Sequence, residues 1–352
     1  MLVVSQSLYD AIYPLPRARR LGERQVRMMD HRTFLAGASA VLLTVPPAAQ
    51  AQQPKQTWRI GIFNAGIRLP ESVAGQDGFR QELRGLGYVA GQNVVYEERW
   101  AEGHAERLPD LAAELVRSNV DVIVAVGTAQ AMVAKRTTAS IPIVVVSATL
   151  PVEMGLVASL ARPNGNVTGV LEMSKRLQLF QEVVPRGLPI LVISSSSYPG
   201  AEIYLEQERE AASQLGMTLE TVDIQRPDDD VVSLIGRRRV GGLLAGLYPA
   251  VAAQGKRIIE LAIQKRWPTL FAGLLDPRFV EAGGLMSYSA NREEAWRRAA
   301  AHVDKIFKGA KPADVPMEQP TKFDLVINLK TAKALGLTIP PSPLGRADEI
   351  IQ

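Results

Sequence analysis

From Pro54 onward, short β-rich apolar runs alternate with longer stretches in which apolar residues recur every three or four positions, and Gly, Pro or Asn marks each junction. Continuous or alternating apolar runs between turn formers predict strands, and i, i+4, i+7 spacing predicts a helix with one apolar face. Residues 58–63 (WRIGIF) give the first strand, and residues 76–87 a helix with Phe79, Leu83 and Leu86 on one side. Strands follow at 93–100, 121–127, 141–147 and 166–170, separated by helices near 107–118 (Leu108, Leu111, Leu115), from 128, and near 151–160. A short helix over 175–184 opens a second series, with strands at 188–194, 218–224, 240–246, 268–273 and 283–289 and helices at 202–215, near 228–235 and at 251–265. A long amphipathic helix over 293–307, a strand at 323–329 and a short helix at 330–335 come last. This alternation predicts an α/β fold with parallel sheets. The second series repeats the plan of the first, so two similar lobes are expected, and the added elements at the end suggest a chain that crosses between them more than once.

Ahead of this pattern, residues 34–45 are apolar, but a run of 12 falls short of the roughly 20 residues that span a bilayer. Arg17, Arg19, Arg20, Arg24, Arg27 and Arg32 precede it, and Ala49-Gln50-Ala51 behind it satisfies the small-x-small cleavage rule. Residues 31–53 therefore read as an export signal cleaved near Ala51, and Met28 or Met29 as the expected start of translation. The opening HRTFL is similar to the twin-arginine export pattern with His31 in place of the first arginine, which leaves twin-arginine and ordinary secretion both open. Removing 51 of 352 residues leaves 301, enough for two ordinary domains, in a product expected to be periplasmic and soluble. Residues 1–51 hold six Arg against three acids, so only about +1 of the formal +4 remains beyond them, and the charge makes no case for a nucleic-acid partner. Cysteine is absent, which excludes disulfides, a thiol nucleophile, a cysteine metal site and a lipid-bearing cysteine.

Clusters of titratable groups that would mark an enzyme are missing from the sequence. His104 and His302 are the two histidines after residue 51, and neither has a second ligand at metal spacing, so both read as surface or packing residues and no metal site is expected. No G-x-S-x-G elbow, P-loop or G-x-G-x-x-G occurs, and the serines at 194–197 lack a nearby base. The acidic run at 228–230 reads as a solvated helix N-terminus. No catalytic residue and no cofactor are expected. The informative residues sit at the C-terminal ends of strands, the edge at which open α/β sheets bind ligands: Asn64, Gly127, Thr128, Ser147, Ser195, Tyr198, Tyr248, Ser287 and Tyr288. Small residues there let a ligand approach the backbone, hydroxyls hydrogen-bond it, and tyrosines offer flat apolar faces. Singly, each is also an ordinary cap or turn residue; together they predict a binding cleft.

The segments GYVAGQNVVYEERWAEG, LPDLAAELVRSNVDVIVAVGT, GLVASLARPNGNVTGV, EAGGLMSY and KGAKPADVPMEQPTKFDLVINLKTAKALGLTIPPS together resemble the ABC-transporter substrate-binding family whose better-known members bind tryptophan or tyrosine. The likeness covers nearly all of residues 57–348. It implies the type I periplasmic-binding-protein fold: two Rossmann-like lobes, residues 57–170 plus 291–310 and residues 175–289 plus 322–340, joined by three crossovers. By resemblance, the first lobe contributes Asn64, Thr128 and Ser147 to the ligand site, and the second Tyr198, Tyr248 and Ser287. Two loops depart from the family pattern: ATLP at 148–151 stands where many relatives have Asp-Pro, and SSSSYP at 194–199 replaces an Asn-rich turn. An Asp in the first loop would suit a ligand ammonium, so an amino-acid ligand needs Glu153 or another acid in its place. The first crossover, at 170–175, is several residues shorter than usual. The implied function is the periplasmic solute-binding component of an ABC importer, a monomer that captures a small aromatic or amino-acid-like ligand between closing lobes and docks on an inner-membrane permease. The alternatives are a receptor feeding a membrane sensor and, lacking a visible catalytic cluster, an exported enzyme.

Overall fold

The computed structural model describes residues 57–68, 76–172, 176–246, 248–272 and 277–352; the export signal read at residues 31–53 lies outside them. Strands β1 (Trp58–Asn64), β2 (Val94–Trp100), β3 (Val122–Val126), β4 (Ile143–Ala148) and β5 (Val167–Leu171) form one sheet in the order β2-β1-β3-β4-β5, every neighbouring pair parallel. The near-continuous apolar runs of β3 and β4 follow from helices on both faces. Ile123, Ala125, Ile143 and Val145 pack with the Leu108–Arg117 and Thr128–Thr137 helices, while Val122, Val124 and Val144 pack with Phe79 and Leu83 of Asp77–Gly85 and with Trp296 of Arg292–Phe307.

The second sheet holds β6 (Ile190–Ser194), β7 (Leu219–Asp223), β8 (Gly242–Ala245), β9 (Thr269–Phe271), β10 (Met286–Ala290), β11 (Phe323–Asn328) and β12 (Glu349–Ile351), in the order β12-β11-β10-β9-β8-β6-β7. Its parallel part, β7-β6-β8-β9-β10, repeats the order of the first sheet, as the repeated sequence pattern predicts. β11 runs antiparallel to β10, and β12, which sequence reading missed, lies parallel to β11. The molecule is thus α/β with two doubly wound sheets.

One expected helix is absent: residues 149–157 form turns. A single helical turn closes with Met154 N donating to Leu150 O at 3.0 Å, but Leu150 and Gly155 both take positive φ (49° and 69°), which ends it. The Lys135 ammonium then donates to the carbonyls of Gly155 and Leu156 at 3.0 and 2.9 Å. The acidic run behaves as expected, with Asp230 capping a helix that begins at Val231. Residues 251–265 are split between helices Pro249–Ala253 and Gly255–Lys265.

The chain passes between the sheets three times: after β5, after β10, and on the way into β11. The second passage delivers helix Arg292–Phe307 from β10 onto the first sheet, capped by Asn291, whose side chain accepts from Glu294 N. Trp296 meets Phe79 edge to face at 5.7 Å, and Phe307 stacks on Trp58 at 4.0 Å. Before entering β11 the chain bonds back to β5, with Leu171 N donating to Glu318 O (2.8 Å) and Glu318 N to Gly169 O (2.9 Å).

His302 is sealed inside this junction, fully buried, with Nδ1 3.4 Å from Thr168 Oγ1 and Nε2 3.4 Å from Glu318 Oε1. Burial pushes its pKa down to about 4, Lys305 and Arg298 push the same way, and Glu318 opposes them. The unfolded chain, titrating near the ordinary histidine value of about 6.5, therefore takes up a proton that the folded chain refuses. Stability is full above that value and falls as pH drops toward 4. Thermal unfolding is expected to shift to lower temperature between pH 7 and 4.5, with a shallower pH slope in His302→Gln; identical slopes would contradict this assignment.

Candidate functional site

The loops at the C-terminal edges of the two sheets face each other and touch. Gly103, after β2, lies against Pro227, which follows β7, and near the carbonyl of Pro249, which follows β8; a Cβ on Gly103 would sit 2.8 Å from Pro227 Cγ. Gln130, buried in the first turn of Thr128–Thr137, accepts a hydrogen bond at 3.0 Å from the Tyr198 hydroxyl across the seam. Met154, in the loop after β4, inserts its methyl where a Cβ on Gly200 would be.

Most of the residues singled out from sequence collect along this seam. Gly127, with φ of 109°, caps the helix that starts at Thr128, and a Cβ there would lie 3.6 Å from the Tyr198 hydroxyl. The buried Thr128 hydroxyl donates to Thr149 O and accepts from Thr149 N, both at 2.8 Å, so it pins the loop after β4. Ser147 is buried, with φ of 66°, and its hydroxyl donates to the Glu172 carboxylate. Tyr198 and Tyr248 are both buried and meet edge to face at 5.7 Å, the arrangement ring quadrupoles favour. Ser195 is buried; its carbonyl accepts from Tyr198 N at 2.9 Å, and its hydroxyl lies 3.2 Å from that of Ser197.

Three candidates stand apart in their contacts. Asn64 is at the same edge of the first sheet, but its carboxamide oxygen turns back to accept from Gly66 N at 2.8 Å. Ser287 is buried on β10 between Phe271 and Val326. Tyr288, the next residue on that strand, points to the opposite face, where its ring stacks on Phe323 at 5.5 Å; the structure does not bring it to the seam. Glu153, suggested as a partner for a ligand ammonium, is exposed.

Five further residues belong to the seam. Besides Gln130, these are Glu172, Arg176, Tyr204 and Glu208. Glu172 follows β5 and is 4 % exposed. Burial pushes its carboxyl pKa up, against the Ser147 hydrogen bond and the Arg176 charge. Arg176 donates from Nε (2.8 Å) and Nη2 to Glu208 Oε1; burial disfavours its charge, and the Glu208 carboxylate outweighs that. The Tyr204 hydroxyl is pushed up to about 12, chiefly by burial, and lies near Thr128 across the seam. Burial likewise raises the phenols of Tyr198 and Tyr248. All three phenols are thus neutral donors at physiological pH. Spacing of 32 residues between Arg176 and Glu208 leaves no local signal in sequence, and Glu172 carries none beyond following a strand. Among the described residues, no group of three or more His, Asp or Glu is placed to hold a metal ion. Rings, hydroxyls and the charges of Glu172, Arg176 and Glu208 suit the binding of a small organic molecule.

Comparisons with known proteins agree with this reading. Residues 65–351 match the family model described as ABC transporter substrate binding protein. The curated tyrosine-binding protein of Clostridioides difficile is 25% identical over 294 residues, covering 80% of this chain and 82% of that one. A crystal structure of a conserved domain protein from Vibrio cholerae superposes with a TM-score of 0.77 at 27% identity, over 84% of this chain and 100% of that chain. A Streptococcus pneumoniae ABC domain solved with L-Trp superposes with a TM-score of 0.76 at 24% identity over the same shares, which speaks for the shared fold. The match to the family model runs from the residue after β1 to the end of β12 and takes in the seam, and the chain therefore belongs to the ABC transporter substrate-binding protein family.

Proposed function

We propose that this chain is the periplasmic solute-binding component of an ABC importer, and that it captures a small aromatic or amino-acid-like solute between two lobes that close on it. The observation that carries the reading is the seam: Tyr198 reaches from one sheet to Gln130 at the edge of the other, and rings and hydroxyls from both sides meet there. A ligand touched from both sides favours the closed form, because only that form offers both sets of contacts. The lobes are residues 57–170 plus 291–310 and residues 175–289 plus 322–340, and the ligand residues include Gly127, Thr128, Ser147, Ser195, Tyr198 and Tyr248. The name of the Clostridioides difficile relative, a tyrosine-binding protein, supports an aromatic ligand.

In this reading the chain is exported through the signal at residues 31–53, works as a monomer, and docks on an inner-membrane permease without catalysing a reaction. No helix among the described residues is long and apolar enough to cross a membrane. Binding to the folded state alone raises stability by mass action, about 2.7 kcal/mol at a ligand concentration one hundred times Kd. A thermal-shift panel of aromatic amino acids, aromatic amines and aromatic acids is expected to contain at least one compound that raises the unfolding temperature by several degrees in a saturable manner. A panel in which no compound does so would contradict the aromatic-solute reading.

A further inference from the structure

The end of β4 is built irregularly, and the irregularity serves one side chain. Pairing of β4 with β5 shifts register between Val145 and Ala148. Opposite the shift, Gly169 takes φ of 147°, and a Cβ there would collide with the Val145 backbone. Ser147, not a glycine, sits at φ of 66°, a conformation that costs about 1 kcal/mol or more and persists where surrounding structure imposes it. Bulges of this kind re-aim side chains beside functional sites. Here the result is that the Ser147 hydroxyl meets Glu172 Oε2, while Glu172 N donates to Ala148 O at 2.8 Å. One bond holds the carboxylate and the other holds the backbone of Glu172.

Its other oxygen, Oε1, is buried and has no hydrogen-bond partner. A buried carboxyl oxygen without a partner is costly, and its place beside the seam makes it the atom at which a donor from outside the chain would bind. The neighbouring cation does not hydrogen-bond this oxygen; the Nε and Nη2 of Arg176 are directed at Glu208. Glu172 also lies between the two halves of the seam: Ser147 belongs to the first sheet, and Tyr204, whose phenol feels the Glu172 charge, to a helix of the second.

We propose that Glu172 Oε1 accepts a hydrogen bond from a protonated amine of the ligand, so that the cleft selects aromatic compounds carrying a cationic nitrogen. This rests on the aromatic-solute reading above. The ammonium would make a charge-assisted hydrogen bond, and the adjacent tyrosine faces attract the same cation. Glu172 thus takes the place of the acid that the loop at 148–151 lacks.

Titration calorimetry of the chain, wild type and Glu172→Gln, tests this with two sets of probes: L-tyrosine, tyramine and 3-(4-hydroxyphenyl)propionate, and L-tryptophan, tryptamine and indole-3-propionate. In the wild type, at least one amine-bearing compound is expected to bind at least about tenfold more tightly than the deaminated acid of its set. Glu172→Gln is expected to erase that preference by weakening the amine about tenfold and the acid less than about threefold. Binding of the amino acid alone, or of the arylalkylamine as well, decides between those two ligand sources, and both outcomes support the role of Glu172. Ser147→Ala, which frees the carboxylate to move, is expected to reduce the preference and supplies the test if Glu172→Gln does not fold. A deaminated acid that binds as tightly as its amines, or a preference that survives in both variants, overturns the inference and leaves the aromatic cleft standing. Binding of none of the six compounds overturns the aromatic-solute reading and the inference with it.

Discussion

Gly103→Leu is expected to hold the two halves of the seam apart and weaken ligand binding by about a hundredfold or more, since a ligand that cannot be touched from both sides loses the contacts that only closure supplies. The obstacle is rigid: a Cβ at Gly103 would sit 2.8 Å from Pro227 Cγ and 3.7 Å from the Pro249 carbonyl oxygen. A proline ring and a backbone carbonyl cannot swing aside as a long side chain can. Gly103 also has φ of 84°, so any side chain there carries a backbone cost of about 1 to 2 kcal/mol that has nothing to do with closure. Gly87→Leu is the matching control, because Gly87 has φ of 95° with nothing within 4 Å of its Cβ position. Calorimetry with whichever compound stabilises the wild type is expected to show near-wild-type affinity in Gly87→Leu and a large loss in Gly103→Leu. Equal losses in the two variants would mean that backbone strain, not obstruction of the seam, is responsible.

Trp296→Ala is expected to lower the free energy of unfolding by about 3–5 kcal/mol, the range for deleting a large buried ring. Trp296 is 3% exposed and meets Phe79 edge to face at 5.7 Å. Its helix starts at the end of β10 in the second sheet yet packs on β4, β5 and the Asp77–Gly85 helix of the first, so the ring anchors a crossover as well as filling a core. Against a typical total of 5–15 kcal/mol, that loss is large. Urea unfolding followed by circular dichroism should show the shift, with Trp296→Phe losing less than half as much because it keeps a ring against Phe79. A shift below about 1 kcal/mol in Trp296→Ala would show that the helix is held by other contacts.

Strands buried on both faces announce themselves in sequence, and this explains why β3 and β4 were legible: Ile123 and Ala125 feed one core, Val122 and Val124 the other, so no polar position interrupts the run. The expected helix at 151–160 failed because apolar spacing says nothing about backbone sign, and Leu150 and Gly155 both take positive φ. Along the seam, Thr128, Ser147, Tyr198 and Tyr248 were legible because they lie at or just after the C-terminal ends of strands, the one place where sequence order and site location coincide in this fold. Tyr288 shows the limit of that rule. Adjacent strand residues face opposite ways, so the pair Ser287 and Tyr288 cannot both line one cleft, a constraint the strand period already contains. Glu172, Arg176 and Glu208 were illegible for another reason: their significance lies in burial and in pairing across 32 residues, and neither property has a local signature.

The central claim, closure of two lobes on a bound solute, is open to a direct distance measurement because the chain contains no cysteine. Glu106→Cys and Asp228→Cys place two spin labels at exposed positions close in sequence to the touching residues Gly103 and Pro227. Pulsed electron resonance on the doubly labelled chain is expected to show a broad or longer distance distribution without ligand, and a shorter, narrower one with a compound that saturates binding in calorimetry. A distribution unchanged by saturating ligand would contradict closure as the mode of capture.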